Sequence, residues 1–271
     1  VICATFSPDY FLPSTASLIQ DGIGARRAGA FDVNAACSGF VYAFATATQF
    51  IKSGVANRVV VVGAEVMSRC LNWEDRNTCV LFGDGAAAIV LEATTERTGG
   101  LSFVLRSDGS RGGLLAMPTQ CNTPERWGGG PRTWMVMDGR EVFRFAVTVM
   151  PESAAEAIRI AGLEPDDIDL FIPHQANVRI INAAAKALKL PMERVFVNVH
   201  KYGNTSGASV PLALCEAVEE GRLKRGDYLV LVGFGGGLSW GATVVHWDPV
   251  RVPHEAEARE GQPVALGAHA G

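Results

Sequence analysis

The chain has 271 residues, with 24 Lys and Arg against 28 Asp and Glu for a net charge of −4, and it carries 48% hydrophobic residues and 30 glycines. That length gives one large domain or two medium ones with a sizeable core, and the mild acidity argues against nucleic acid as a partner. The longest apolar runs, such as Val59–Val62 and Leu229–Val232, fall far short of the roughly 18–20 residues of a membrane-spanning helix, so no membrane association is expected.

The chain opens directly in a predicted strand, Val1–Ala4, with no Met and no signal-peptide pattern. A second strand at Ala30–Val33 is followed by a helix over Ser38–Ser53 and by strands at Arg58–Ala64 and Ala87–Leu91. Gly109–Arg132 is rich in Gly, Pro, Thr and Arg, contains Trp127-Gly-Gly-Gly130, and reads as a long irregular excursion of the kind that covers a site. Then come a helix over Glu141–Ala161, a strand at Asp169–Ile172, a helix over Ala176–Leu188, a strand at Val195–Val199, a helix over Ser209–Glu220, and strands at Tyr228–Val232 and Ala242–His246. Asp248–Gly271, Pro-, Glu- and Ala-rich without apolar period, is expected to be a disordered tail. Strands alternating with helices make this an α/β protein.

An internal echo divides the chain. Strand, small-residue loop, helix, Ser53-Gly54 stop and Val-rich strand recur in the same order as strand, Gly-rich loop, helix, Glu220-Gly221 stop and strand; Cys37 to Gly63 spans 63 − 37 = 26 residues and Ser206 to Gly233 spans 233 − 206 = 27. Two related halves are expected: residues 1–108 carrying Cys37, a connecting region 109–140, and residues 141–247 carrying His174 and Asn204, with 248–271 as the tail.

The six cysteines are scattered without a CxxC pair, which points to reduced thiols in a cytoplasm and to neither a zinc site nor a disulfide scaffold. Cys37, in Asn34-Ala-Ala-Cys37-Ser-Gly, precedes a predicted helix, where the dipole and free N–H groups favour a thiolate. A free cysteine is as readily a small buried hydrophobe, and position alone leaves both readings open. His174, in Pro173-His174-Gln-Ala-Asn177, ends a predicted strand, a place for acid–base or hydrogen-bonding work, although a histidine satisfying local backbone is the commoner case. Asn204, in Tyr202-Gly-Asn204-Thr-Ser, reads as a turn or cap residue or as a fixed amide donor. Gly233-Phe-Gly-Gly-Gly237 allows close backbone approach to a ligand. The four other histidines are assigned no chemistry.

Together these segments, with Phe82-Gly-Asp-Gly-Ala-Ala, resemble β-ketoacyl-acyl carrier protein synthase III over roughly Val1 to Trp247. The resemblance implies a thiolase-like fold, two related halves in a layered α/β/α/β/α arrangement, and a homodimer. Because family members begin before the segment matching Val1, the first half is expected to be incomplete. It implies that Cys37 is the acylated nucleophile, that His174 and Asn204 hold the malonyl thioester carbonyl during decarboxylation, and that the N–H groups of Cys37 and Gly236 form the oxyanion hole. It further implies that Arg76 packs on the adenine end of coenzyme A, that Asn177 and Gly139 lie near the pantetheine, and that Phe82 walls the acyl pocket. Arg179 and Lys186, with Lys189 on the same helical face and Arg144 on the preceding long helix, suit an acidic carrier protein. The implied reaction is decarboxylative condensation of acyl-CoA with malonyl-acyl carrier protein, initiating fatty-acid synthesis and needing no cofactor or metal. Two other readings stand beside it: an acyltransferase of specialised metabolism, and a non-catalytic remnant that binds a carrier protein.

Overall fold

Val-rich runs without polar alternation fold as strands covered on both faces. The computed structural model describes residues 1–118 and 134–249, so the tail, most of the excursion and Cys121 lie outside the described residues. Strands β1 (Ile2–Ala4), β2 (Phe31–Val33), β3 (Arg58–Glu65) and β4 (Gly85–Glu92) form one sheet in the order β2-β1-β3-β4. Strands β5 (Gly99–Ser107), β8 (Leu170–Pro173), β9 (Tyr228–Gly235) and β10 (Ser239–His246) form a second, in the order β5-β10-β9-β8, and β6 (Leu115–Ala116) pairs with β7 (Val136–Met137).

The layers follow from side-chain alternation. Leu229 and Leu231 of β9 face inward to meet Ile2 and Ala4 of β1, Val59 and Val61 of β3, Phe40 and Phe44 of α2 (Gly39–Lys52) and Val210 and Leu214 of α6 (Ser209–Glu219). Val230 and Val232 face the other way, onto Phe145, Met150 and Ala154 of α3 (Gly139–Ala161) and Ile181 and Ala184 of α4 (Val178–Ala187). On the far side of the first sheet, Val1, Cys3 and Val62 pack on Ala16 of α1 (Thr15–Gly22). Helices α2 and α6 thus lie between two sheets, with α1 outside one and α3 and α4 outside the other.

The expected duplication appears in the strand register. In each half one strand, β1 or β8, runs parallel to the next, β3 or β9, which pairs antiparallel with β4 or β10. Both inner helices end before a left-handed glycine, Gly54 at φ 75° and Gly221 at φ 67°, where a side chain would be strained. Both also begin after a 3-10 turn, Ala36–Ser38 and Ser206–Ala208, whose first residue is a non-glycine with positive φ, 46° at Ala36 and 49° at Ser206. Such backbone costs on the order of 1 kcal/mol per residue and persists only where packing fixes it.

Four expectations are corrected. Val195–Val199 is not a strand: only Val195 bridges Phe171, and the N–H groups of Asn198 and Val199 donate to the Gln175 side chain (2.9 and 3.2 Å) instead of to a ladder, after which α5 (Val199–Tyr202) begins. Asn177 starts α4 later than expected, because its amide oxygen accepts from Arg179 N–H (2.8 Å) as a helix cap. Lys189 lies beyond the end of α4 at φ 57°, off the face that carries Arg179 and Lys186. Strand β5, ahead of residue 108, is hydrogen-bonded along β10 and so stands in the second sheet. Among the described residues β4 has no neighbour on its outer edge, and Val90 on its open face is 64% exposed.

Candidate active site

Cys37 sits in the strained turn ahead of α2, buried, with its sulfur 3.2 Å from Ser206 Oγ in the matching turn of the other half. The turn is locked from two sides. Ser38 Oγ donates to Ala35 O (2.7 Å) and meets Ser239 Oγ (3.0 Å), tying it to the loop between β9 and β10. Gly235 lies so close that a Cβ there would fall 2.7 Å from Cys37 N and 3.1 Å from its sulfur. Gly235→Ala should therefore destabilise the protein by roughly 1–3 kcal/mol and displace the thiol; unchanged urea midpoint and unchanged Cys37 alkylation would contradict this packing.

The sulfur is not the thiolate that the helix end favours. Burial pushes the Cys37 thiol up to about 12 against a lesser downward pull from Ser206 Oγ, with Glu65 adding to the rise, so the resting group is a thiol. The N–H groups of Cys37 and Gly236 donate to no backbone carbonyl among the described residues, which leaves them available to an incoming oxygen. Gly236 itself packs against Leu115 O, where a Cβ would fall at 2.9 Å, and so the described part of the excursion abuts the glycine loop.

Asn204 is held by its own backbone. Its N–H donates to Leu81 O (2.9 Å) and its carbonyl accepts from Gly83 N–H (3.1 Å), a two-way bridge around Phe82. Its Oδ1 accepts from Ser206 N–H (2.9 Å), which fixes the amide orientation and leaves Nδ2 as its donor. Asn204 and Cys37 are thus joined through one residue, Ser206.

His174 follows β8, its N–H bonded to Val232 O (2.7 Å) and its ring edge-on to Phe234 at 5.1 Å, next to Gly235. Nδ1 lies 2.5 Å from Ser209 Oγ at the head of α6. Gln175 N–H also donates to that oxygen (3.3 Å), and a Ser209 hydroxyl that donates to Nδ1 puts the ring proton on Nε2. Burial holds His174 down near 3, so the ring is neutral. Cys37 and Asn204 thus both contact Ser206, while His174 contacts Ser209 and Phe234, the neighbour of the Gly235 that packs on Cys37.

Sequence reading missed Ser206, Ser209 and Glu65. Glu65, at the end of β3, is 3% exposed and raised by burial to about 7. It and His174 oppose each other in acid. Neutral His174 contributes stability above 6.5 that is lost as pH falls toward about 3, whereas protonated Glu65 contributes stability below 4.5 that is lost as pH rises through about 7. Glu65→Gln should accordingly raise stability at pH 8 relative to pH 5 by on the order of 2–3 kcal/mol in urea unfolding; equal changes at both pH values would contradict the assignment.

The binding candidates are more dispersed. Arg76 is exposed in the turn that Asp75 caps through Asn77 N–H (3.0 Å). Phe82 packs with Met67, Cys70 and Met135, and Gly139 opens α3. Arg179 and Lys186 are exposed two turns apart on α4, and Arg144 on α3 is paired with Glu141 at 2.6 Å. No cluster of three or more His, Cys, Asp or Glu suited to a metal occurs among the described residues.

Two duplicated halves that bury helices between their sheets, with a cysteine at the head of one inner helix, define a thiolase-like fold. Residues 31–109 match the family model for 3-oxoacyl-[acyl-carrier-protein] synthase III, and residues 158–247 match its C-terminal model. A β-ketoacyl-[acyl-carrier-protein] synthase III of Roseiflexus sp. (strain RS-1) is 55% identical over 251 residues, covering 91% of this chain and 76% of that protein. The synthase III crystal structure from Thermus thermophilus superposes with a TM-score of 0.87 at 49% identity, covering 91% and 76% of the two chains. The priming β-ketosynthase of the R1128 polyketide pathway superposes at 0.83 with 36% identity, covering 90% and 73%. The chain belongs to the 3-oxoacyl-[acyl-carrier-protein] synthase III family.

Proposed function

We propose that the protein is an acyltransferase that condenses an acyl-CoA starter with malonyl-acyl carrier protein to give 3-oxoacyl-acyl carrier protein and initiate fatty-acid synthesis. The carrying observation is the buried Cys37 thiol, joined through Ser206 to the Asn204 amide, together with a neutral, buried His174 whose ring packs on Phe234 next to the Gly235 that abuts the sulfur. The sulfur of Cys37 attacks the acyl-CoA carbonyl, the N–H groups of Cys37 and Gly236 take the oxyanion, and coenzyme A leaves as the thiol with the proton that Cys37 gave up. Malonyl-acyl carrier protein then enters, and its thioester oxygen accepts hydrogen bonds from His174 Nε2 and Asn204 Nδ2. Loss of carbon dioxide leaves an enolate held by these donors; its carbon attacks the acyl-cysteine carbonyl and releases the sulfur.

In the same reading Arg76, Gly139 and Asn177 line the coenzyme A path, and Phe82 walls the acyl pocket. Arg144, Arg179 and Lys186 receive the acidic carrier protein, with Arg144 partly neutralised by Glu141. No helix among the described residues is long and apolar enough to cross a membrane, which accords with work in the cytoplasm. A homodimer is part of the proposal: β2 is an edge strand, and Tyr10, Phe11 and Leu12 stand exposed, as apolar groups at an interface would.

The test is to incubate the protein with acetyl-, branched- and medium-chain acyl-CoA, locate the acyl adduct by peptide mass, and then add malonyl-acyl carrier protein. An adduct on Cys37 that is consumed to a 3-oxoacyl product supports the proposal. No adduct on folded protein supports a non-catalytic carrier-protein-binding remnant. The likeness to a polyketide priming synthase favours, as the second reading, a starter enzyme of specialised metabolism, for which an adduct forms only from an unusual acyl-CoA.

A further inference from the structure

Glu65 is the one fully buried carboxylate among the described residues, and the mechanism above does not use it. Its Oε2 collects the hydroxyls of Ser7 and Thr5 (3.3 Å for Thr5) and the N–H groups of Phe6 (3.3 Å) and Ser7 (3.2 Å), all from the turn after β1. Ser7 Oγ in turn accepts from Val66 N–H at 2.9 Å. A glutamine would satisfy most of this nest without the cost of burying a charge.

The other oxygen, Oε1, is buried and makes no well-formed hydrogen bond; it faces the Gly207 backbone, whose N–H draws the Glu65 carboxyl down against burial and where a Cβ would fall 3.0 Å from it. Gly207 follows Ser206, whose hydroxyl touches the Cys37 sulfur, and the same point over Gly207 is 3.4 Å from Ala36 O. Oε1 therefore lies against the Ser206–Ala208 turn, and Gly207 of that turn stands close to Ala36 O in the turn that carries Cys37.

Among the described residues no cation pairs with Glu65. Arg69, the nearby base, gives its guanidinium to Asp9 (2.7 Å) and Ser7 O (3.0 Å). Asp32 is occupied by the N–H groups of Thr15 and Ala16 (both 2.8 Å), and Asp84 by Ser68. From β1, the turn after β3 and the turn before α2, the titratable groups in its field are the thiols Cys3, Cys70 and Cys37, each held up first by burial and to a lesser degree by the Glu65 charge.

We propose that Glu65 is a positioning residue that sets the charge behind the nucleophile: its carboxylate holds Cys37 as a thiol, and its neutral carboxyl releases it. The inference rests on the reading of Cys37 as the nucleophile. Burial places the change of Glu65 charge near neutrality, where the enzyme would operate.

The test is the rate of Cys37 alkylation by iodoacetamide between pH 5.5 and 9, followed by peptide mass with the partly exposed Cys79 and Cys215 as internal references. In the unsubstituted protein the logarithm of the rate should rise with unit slope on two limbs, the alkaline limb displaced about tenfold downward around pH 7, as expected for two sites coupled by about one pK unit. E65Q should give a single limb continuing the faster, acidic one, and E65D, which keeps the charge, should restore the step. A single unit slope in the unsubstituted protein overturns the proposal, and so does an E65Q profile that keeps the step or is slowed equally at every pH. If E65Q does not fold, the unsubstituted and E65D profiles decide. Because iodoacetamide needs no acyl-CoA site, absence of an acyl adduct defeats the functional reading without touching this one.

Discussion

Cys37→Ala should lose the acyl adduct altogether and lower 3-oxoacyl product formation by at least about 10³-fold, because among the described residues Cys37 is the only thiol in contact with Ser206. The partly exposed thiols, Cys79 and Cys215, lie outside the Ser206–Asn204 network, and Cys215 makes its long contact with Ala88 O instead (3.8 Å). Truncation of a small buried side chain leaves the fold standing, so circular dichroism and urea midpoint should stay near those of the unsubstituted protein. An adduct persisting on the alanine variant would place the nucleophile elsewhere.

Asn204→Ala and His174→Ala should each cut malonyl decarboxylation by about 10²–10³-fold, roughly 2.7–4 kcal/mol of transition-state stabilisation. Acylation of Cys37 should change only a few-fold, since its oxyanion donors are backbone N–H groups. The split between the half-reactions is the informative readout. The variants differ in one respect: Asn204 Oδ1 holds Ser206 N–H, so its loss also loosens the Cys37 partner, whereas His174 reaches the site through Ser209. A pre-acylated sample of Asn204→Ala that still decarboxylated malonyl-acyl carrier protein at the original rate would remove Asn204 from the chemistry.

Much of the fold is legible in the sequence because its strongest determinants are local. The Val runs of β3 and β9 and the three-and-four spacing in α2 and α6 mark buried strands and helices, and their repetition gives the two halves. Strand β5 is harder to read, since Gly99, Gly100 and Ser102 dilute its alternation and only pairing along β10 defines it. Helix α1 is short and rests on a Ser14 cap, accepting from Ser17 N–H, that composition does not announce. The mistaken strand at Val195–Val199 has strand-like residues, but the Gln175 side chain occupies the N–H groups that a neighbour would use.

The candidate site divides the same way. Gly233, Gly235 and Gly236 are readable as places of close approach, and Cys37 as a residue before a helix. The charge state of its sulfur is not, because burial by both halves outweighs the helix end. Ser206, Ser209 and Glu65 carry no sequence signal: each acts on a residue at least 28 positions away, Ser206 on Cys37 across the two halves, Ser209 on His174 and Glu65 on Cys37 within one half, and only the folded chain brings them into contact.

The open flank of β4 has a colloidal consequence. Half of its amides and carbonyls point away from β3, and Ala86, Ala88 and Val90 give the flank a flat, oily surface interrupted only at its end by Glu92 and Arg58. Such a rim templates further strands from whatever polypeptide is concentrated beside it. A net charge of −4 repels copies from one another at long range, and added salt screens that repulsion. Isolated samples should therefore be handled dilute and at low ionic strength, where light scattering stays lowest.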